Sequence, residues 1–229
     1  MTENILCIIP ARGGSKRIPR KNVVSLCGKP VIAYTIEAAK NSGLFEDIVV
    51  STEDTEIASV SEKCGATVLE RIPELASDKA RVIDVCLDVV KQYEKNGKQF
   101  DYVCILLPTS PLRIPRDITG AFKKLTESDG NAVMAITNYE TPPFWALNEE
   151  GGFLKLFFGE KYNLRSQDLP EVYVDNGAVY IFRTETLKKE KNFYCSKLVG
   201  YKMPRERSLD IDEEISLKIA EYFLKVDKK

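Results

Sequence analysis

Short apolar runs alternate with amphipathic segments along most of this chain, and this alternation is the feature that most restricts its fold. Strand-like runs cover residues 5–9, 48–51, 68–69 and 102–107, and segments with helical spacing of apolar residues lie between them. Such alternation is typical of βαβ units, in which parallel strands are joined by helices that cover the sheet. We therefore predict an α/β fold with a mostly parallel sheet flanked by helices.

Proline, glycine and asparagine mark the ends of the predicted helices. Pro30 suits a first helical position and Gly43 a helix end, which indicates a helix over residues 30–41. Asn96 and Gly97 end the next long amphipathic segment, which begins near Val82. The pattern continues with a helix near residues 117–125, strands over 132–136, 178–182 and 198–202, a capped helix to about residue 63, and a last helix with Ile215, Ile219 and Phe223 on one face.

The alternation is interrupted between about residues 138 and 175. This stretch contains Pro142-Pro143, Gly151-Gly152 and Trp145 among scattered aromatic residues, with no regular period. A chain of 229 residues with 44% hydrophobic residues can bury one proper core. We therefore predict a single domain over residues 1–229 that carries an inserted arm.

A glycine-rich basic loop follows the first strand. It reads Pro10-Ala-Arg-Gly-Gly-Ser-Lys-Arg-Ile-Pro-Arg-Lys-Asn22, and no acidic residue occurs between Glu3 and Glu37. Adjacent glycines allow backbone N–H groups to approach an oxyanion, and lysine and arginine donate charge-assisted hydrogen bonds to phosphate. The loop lacks the Walker A and Gly-x-Gly-x-x-Gly spacings. It favours a triphosphate site over the alternative, a solvated basic loop with turn glycines.

Composition narrows the chemistry further. The chain has no histidine, which excludes Ser-His-Asp and Cys-His catalysis and zinc sites that use histidine. Any metal is then held by oxygen ligands, which points to Mg²⁺ or Mn²⁺. The net charge of −1 does not favour nucleic acid as a partner, and no apolar run or leader suggests a membrane span or secretion. We expect a cytoplasmic protein.

Two aspartates precede the last predicted helix in the sequence Asp210-Ile-Asp212. Alternation places both carboxylates on one side of an extended segment, where they can share a divalent cation. The alternative interpretation is that Asp212 caps the following helix. Next to a triphosphate loop in a chain without histidine, metal binding is favoured.

Several separate motifs then occur in the order found in the acylneuraminate cytidylyltransferases, the CMP-sialic acid synthetase family, which the chain resembles over nearly its full length. Besides the basic loop and the aspartate pair, they are Glu74-Leu-Ala-Ser-Asp78, Leu107-Pro-Thr-Ser-Pro-Leu-Arg113, Arg165-Ser-Gln-Asp-Leu-Pro170 and Asn176-Gly-Ala-Val-Tyr180. The resemblance implies a Rossmann-like sheet, an arm used for homodimerisation, and transfer of CMP from CTP to a nine-carbon 2-keto sugar acid with release of pyrophosphate.

The resemblance also implies site residues. The residues implied as catalytic are Arg12, Lys16, Lys21, Asp210 and Asp212, and the two aspartates are implied to hold the metal. Nucleotide binding is implied for Ala11, Arg12, Gly13, Gly14, Ser15, Asn22, Arg71 and Ala80. Binding of the sugar acid is implied for Leu107, Arg165, Gln167, Asn176, Tyr180, Phe193 and Tyr194, with Arg165 reaching across the dimer.

Two departures from the family pattern leave the acid substrate open. Leu107 occupies a position where the family commonly has glutamine, and Arg81-Val82 replaces small hydroxylic residues. Leucine there favours an acid with an apolar group, such as the C9 methyl of legionaminic or pseudaminic acid, unless it only extends the preceding strand. The competing functions are a CMP-Kdo synthetase or another sugar nucleotidyltransferase, a metal-dependent glycosyltransferase, and a non-catalytic nucleotide-binding module.

Overall fold

The computed structural model describes residues 3–226, which form a central sheet with helices on both faces. In chain order the elements are β1 (Ile5–Pro10), β2 (Ser25–Leu26), β3 (Lys29–Pro30), α1 (Val31–Ser42), β4 (Asp47–Thr52), α2 (Thr55–Lys63), β5 (Thr67–Glu70), α3 (Pro73–Ala76), α4 (Val82–Lys95), β6 (Tyr102–Ile105), α5 (Pro115–Thr126), β7 (Ala132–Asn138), β8 (Leu147–Glu150), β9 (Phe153–Leu156), β10 (Tyr173–Arg183), α6 (Thr184–Glu190), β11 (Leu198–Lys202) and α7 (Glu214–Val226).

The main sheet has seven strands in the order β11-β7-β10-β6-β1-β4-β5. Neighbouring strands pair in parallel except on both sides of β10, which is antiparallel to β6 and β7. The predicted fold class, a mostly parallel sheet flanked by helices, is therefore confirmed. From β1 the chain moves first to β4 on one side and later to β6 on the other. The carboxyl ends of β1 and β6 thus form a topological switch point, where ligands bind in open α/β sheets.

Two apolar cores hold the helices against the sheet. One face of the sheet packs against α1, α2 and α5, and the opposite face packs against α4 and α6. Strand β1 is central and contributes to both cores, because successive side chains of a strand point to opposite faces. A third, smaller cluster joins Ile18 of the basic loop to Ile211 and to α7, so the loop and the aspartate pair share packing.

The helix signals in the sequence act largely as expected. Helix α1 follows Pro30 and ends at Gly43, whose φ of 66° is left-handed and therefore suits glycine. Asp54 caps α2 by accepting hydrogen bonds from two backbone N–H groups. The strand predicted over residues 102–107 is shorter, because it ends at Ile105. In α7, Ile215 and Ile219 are exposed, and Leu217, Phe223 and Leu224 pack on the core instead.

The segment between β7 and β10 forms a separate lobe of irregular structure. It contains the antiparallel hairpin β8–β9 and three short 3₁₀ turns. An aromatic cluster of Phe144, Phe158 and Tyr162 packs inside it, with the rings of Phe144 and Tyr162 stacked at 4.6 Å. An inserted arm is the prediction for this stretch of the chain. No helix within residues 3–226 combines the length and apolar character that crossing a bilayer requires.

Candidate active site

The basic loop is fixed to the sheet where it begins and is closed on itself where it ends. The Ala11 N–H donates to the Ser51 carbonyl at 3.0 Å, which extends the β1–β4 pairing by one step. The Asn22 amide donates to the Arg12 carbonyl at 2.8 Å and closes the loop on itself. Between these points, the Gly13 N–H donates to the Glu53 carboxylate at 2.7 Å. The loop is thus held in a defined path above the carboxyl end of β1.

This loop forms one wall of a cavity of about 490 Å³ at the switch point between β1 and β6. The opposite walls come from the segment after β5 and the segment after β6. The predicted site residues that line the cavity are Arg12, Gly14, Ser15, Lys16, Lys21, Asn22, Arg71, Ala80, Leu107 and Asp212. Ala11 and Gly13 belong to the same loop but are not part of the lining, since Ala11 is buried and the Gly13 N–H faces Glu53.

Cations from the loop converge on Asp78 across the cavity. Arg12 and Lys16 contact its two carboxylate oxygens at 2.5 and 2.6 Å. Hydrogen bonds from Lys16 and Arg12 lower the pKa of Asp78. Asp78 ends the motif Glu74-Leu-Ala-Ser-Asp78, but the sequence alone predicts no role for it. The structure shows that its carboxylate neutralises the two cations from which phosphate oxygens would draw hydrogen bonds.

A second group of cations converges on Asp212. Lys21 and Arg17 contact its two oxygens at 3.0 and 2.8 Å. Partial burial disfavours the charged form of Asp212, but hydrogen bonds and charge from Lys21 and Arg17 outweigh it and lower the pKa. The hydrogen bonds of Asp212 go to these side chains and not to the backbone of α7, so the alternative interpretation as a helix cap does not describe its contacts.

Asp210 lies near Asp212 but in a different environment. The buried side chain of Ile211 points into the core between them, so both carboxylates project to the opposite side. The residue Asp210 is exposed as a whole, but the surrounding protein desolvates its carboxyl group. This desolvation and the negative charge of Asp212 raise the pKa of Asp210, although a hydrogen bond with Thr109 acts in the opposite direction. The two aspartates thus present an asymmetric pair of carboxylates.

The donor set suits a hard divalent cation. Within the described range, 3–226, no three or more acidic or cysteine side chains come together as a metal site. Mg²⁺ nevertheless needs only one or two carboxylates when substrate phosphates and water complete its shell. Asp210 and Asp212 would supply those carboxylates, and Asp212 would exchange its contacts with Lys21 and Arg17 for the ion.

Arg71 forms the far wall of the cavity, at the end of β5. It is 5% exposed, and its guanidinium donates to the Ser51 carbonyl at 2.7 Å. Burial lowers its pKa. Glu53 lies 3.9 Å from it, so the same glutamate connects the basic loop with Arg71. Ala80 lines the adjacent wall, and its N–H donates to the Ser77 carbonyl.

Three of the residues assigned to the sugar acid lie in or against the middle of β10. Tyr180 is buried, and its ring lies 4.5 Å from that of Phe193. Asn176 is also buried, and its amide donates to Ser208 at 2.9 Å, two residues before Asp210. These residues and the exposed Tyr194 do not line the 490 Å³ cavity. They lie beside it, because a Cβ atom added at Gly177 would lie 3.5 Å from Leu107 and 3.6 Å from Ser110 in the segment after β6.

The arm residues are not brought into this site within a single chain. Arg165 is exposed and pairs with its own neighbour Asp168 at 2.8 Å. Gln167 is exposed in the same 3₁₀ turn. A single copy of the chain therefore leaves both residues outside the cavity.

Arg113 connects the segment after β6 with β10, and the sequence alone predicts no such role for it. It is 3% exposed and donates to the carbonyls of Ala178 and Leu107 and to the Thr35 hydroxyl. Burial lowers its pKa to about 10. Its guanidinium thereby ties the loop after β6 to β10. The signal in the sequence is a charged residue at the end of the motif Leu107-Pro-Thr-Ser-Pro-Leu-Arg113, whose other residues are uncharged.

A cationic cradle after the first strand, a pair of carboxylates and a switch-point cavity define a nucleotide-using α/β enzyme of the nucleotidyltransferase class. Comparison with known proteins supports this class, because the family profile described as "Cytidylyltransferase" matches residues 6–209. The chain belongs to the cytidylyltransferase family, and it is an enzyme of the acylneuraminate cytidylyltransferase type.

Named relatives are similar over most of the chain. A pseudaminic acid cytidylyltransferase of Campylobacter jejuni is 37% identical, with 97% of each chain covered. A CMP-N,N'-diacetyllegionaminic acid synthase of Legionella pneumophila is 33% identical, with 98% of each covered. An N-acylneuraminate cytidylyltransferase of Streptococcus agalactiae is 39% identical over 90% of this chain, which spans half the length of that relative.

Solved structures share the fold at low sequence identity. A CMP:2-keto-3-deoxy-manno-octonic acid synthetase complexed with CTP superimposes with a TM-score of 0.72 over 98% of this chain and 100% of that chain, at 15% identity. A 4-diphosphocytidyl-2C-methyl-D-erythritol synthase of Anaerococcus prevotii gives a TM-score of 0.67 at 12% identity. These likenesses establish the fold alone.

Proposed function

We propose that the chain transfers CMP from CTP to a nine-carbon 2-keto sugar acid, giving a CMP-sugar and pyrophosphate. The observation that carries the proposal is the cavity at the switch point, whose lining includes Arg12, Lys16, Lys21 and Asp212. Relatives similar along the chain's length are named for pseudaminic, legionaminic and acylneuraminic acids, which supports an acid of this class.

Cations of the basic loop would bind the triphosphate. CTP would displace Asp78 from Arg12 and Lys16, and the same two cations would then bind phosphate oxygens at charge-assisted distances. The Lys21 side chain is only 16% exposed, and its ammonium group is held by Asp212 at 3.0 Å. Its charge would therefore act on the phosphates from a partly desolvated, preorganised position. Arg71, Ala80 and Asn22 would bind the cytosine and ribose at the far wall.

The chain's residues would promote in-line attack mainly by holding the reactants together. The hydroxyl on the anomeric carbon of the acid attacks the α-phosphorus, the bond to the β-phosphate oxygen breaks, and pyrophosphate leaves with the electron pair. Asp210 and Asp212 would hold Mg²⁺ or Mn²⁺, which supplies charge neutralisation at the phosphates when bound. Among the described residues Asp212 forms ion pairs with Arg17 and Lys21 and Asp210 does not, so the Asp210 carboxylate would accept the hydroxyl proton.

Leu107 is the residue on which the choice of acid rests. It lies beyond the end of β6 and lines the cavity, so it does more than extend the strand. An apolar side chain there favours a deoxy acid with a terminal methyl over N-acetylneuraminic acid. Competition of two such acids for one CTP pool tests this preference. Leu107→Gln is expected to shift kcat/KM toward N-acetylneuraminic acid by roughly 1 to 3 kcal/mol.

The arm would join two copies of the chain. Its surface exposes Leu147, Phe153, Leu154, Phe157 and Leu164, with Phe153 at 74% exposure, and such a patch is unusual on a monomer. A partner arm covering it would bring Arg165 and Gln167 toward the other copy's sugar-acid site. Sedimentation of the wild-type chain and of Phe153→Ser tests this, because the variant should weaken or abolish the homodimer.

Pyrophosphate release from CTP is the decisive assay for the proposed function. The chain, Mg²⁺ and CTP are incubated with N-acetylneuraminic, legionaminic, pseudaminic and 2-keto-3-deoxy-octonic acids in parallel. Release with a nine-carbon acid and not with the eight-carbon acid supports the proposal. Release with the eight-carbon acid alone identifies a CMP-Kdo synthetase, and absence of release with CTP leaves a glycosyltransferase or a binding module.

A further inference from the structure

Asp175 occupies an irregular position in β10 next to the residues assigned to the sugar acid. The pairing of β10 with β7 shifts register between Asp175 and Tyr180, and Gly177 within this bulge has a φ of 71°. The bulge is held between Ser208, which Asn176 contacts, and the segment after β6, which Gly177 approaches. Bulges next to a site commonly re-aim side chains, and this one aims a carboxylate.

The Asp175 carboxylate is fixed by neutral donors. The Tyr180 hydroxyl donates to its two oxygens, both at 2.8 Å, and the Gly177 N–H donates to one of them at 2.9 Å. Among the described residues no lysine or arginine forms an ion pair with it, whereas Asp78 and Asp212 both form ion pairs. Asp175 is partly exposed, so its remaining lone pairs face solvent or a ligand.

The direction of these hydrogen bonds determines what the pair can bind. The Tyr180 hydroxyl has a single proton, and this proton is used on Asp175. The Tyr180 oxygen and the free carboxylate lone pairs can then only accept hydrogen bonds. The carboxylate also repels a second anion, so the carboxylate of an acid substrate must lie away from it. The matching ligand group is a neutral donor.

We infer that Asp175 is a specificity-determining residue that, with Tyr180, accepts hydrogen bonds from an acylamino N–H or a hydroxyl of the sugar acid. This inference rests on the proposed function and deepens it, because it names the type of group that the acid presents to β10. A carboxylate acceptor makes a charge-assisted hydrogen bond, and such bonds are about twice as strong as neutral ones.

Asp175→Asn tests the assignment with little change in shape. The asparagine oxygen retains an acceptor for Tyr180, but its NH₂ places donors against the donor of the acid. KM for the acid should rise roughly 10- to 100-fold, while KM for CTP and Tm stay within the scatter of the wild-type values. Glu171→Gln is the matched control, because Glu171 lies on the same segment but pairs at the surface with Lys202.

The outcomes separate the inference from the proposed function. Wild-type turnover combined with an unchanged acid KM in Asp175→Asn overturns the inference and leaves the function standing. Equal changes in the KM values for CTP and acid, with a lowered Tm, assign Asp175 a purely structural role and also overturn it. Asp175→Ser, which is smaller and replaces the carboxylate by a neutral hydroxyl, repeats the measurement if the asparagine variant is unstable. Absence of turnover in the wild-type chain overturns both.

Discussion

Gly13 and Gly14 are adjacent in the basic loop, but only one of them lacks room for a side chain. A Cβ atom at Gly13 would lie 2.5 Å from a carboxylate oxygen of Asp54, whereas one at Gly14 would meet no atom within 4 Å. Neither glycine has a left-handed φ, so the backbone conformation itself admits alanine at both positions. The substitutions Gly13→Ala and Gly14→Ala therefore form a matched pair.

The clash at Gly13 is expected to move the loop and leave Asp54 in place. The Asp54 carboxylate accepts hydrogen bonds from the Glu56 and Ile57 N–H groups at 3.0 Å each and is also bound by Arg20. Ordinary contact begins at 3.4 Å, so the loop must shift by about 0.9 Å. Displacement of a positioning group by about 1 Å costs roughly 100-fold in rate. The associated packing cost is about 1 to 3 kcal/mol.

Pyrophosphate release at saturating acid and varied CTP measures this prediction. We expect kcat/KM for CTP to fall roughly 100-fold in Gly13→Ala and by less than about threefold in Gly14→Ala. Thermal unfolding of both variants shows whether the fold persists. Equal activities of the two alanine variants, with equal Tm values, would refute the reasoning that a side chain at position 13 displaces the loop through its clash with Asp54.

Three other predictions address charges at and near the site. Lys21→Ala should reduce kcat roughly 10- to 1000-fold, whereas Lys29→Ala, an exposed control, should cost under about 1 kcal/mol; similar losses in both would contradict the assignment. Asp212→Asn should depress kcat with Tm retained, and a magnesium titration identical to that of the wild type would count against it. Asp54→Ala should lose about 0.5 to 2 kcal/mol of stability in urea unfolding. The hydrogen bond from Arg20 lowers the pKa of Asp54 in the folded protein below its ordinary value of 3.8. The stability difference between wild type and Asp54→Ala should therefore be complete above pH 3.8 and vanish as the pH falls through the pKa of the folded state. A stability difference that stays constant down to pH 2 would contradict this prediction.

The fold was predictable because the strongest signals in the sequence are local. Strand-like runs, Gly43 as a helix end and the capping segment around Asp54 act within a few residues, and the structure realises each of them. The position of β10 was not predictable in this way. Its antiparallel direction depends on which strands it joins, and pairing of distant segments leaves no periodic trace in its own sequence.

The site was predictable only as a set of residues and not as a set of contacts. The loop cations and the aspartate pair stand out by composition, but their partners Asp78 and Glu53 lie on other segments and were not assigned. Asp175 was missed because its role depends on the bulge in β10 and on the Tyr180 hydroxyl. Such contacts arise from tertiary structure, which spacing along the chain does not encode.

The antiparallel course of β10 has a consequence for how this scaffold can change over evolutionary time. Strand β7 ends where the neighbouring strand β10 begins, and their terminal residues Asn138 and Tyr173 are paired. The whole arm is therefore one long insertion, and the pairing of β7 with β10 holds its two ends side by side. Doubling the length of a flexible insertion of this kind costs only about 0.6 kcal/mol in loop-closure free energy. Descendants of this chain can lengthen, shorten or replace the arm while the sheet and the basic loop after β1 are inherited unchanged.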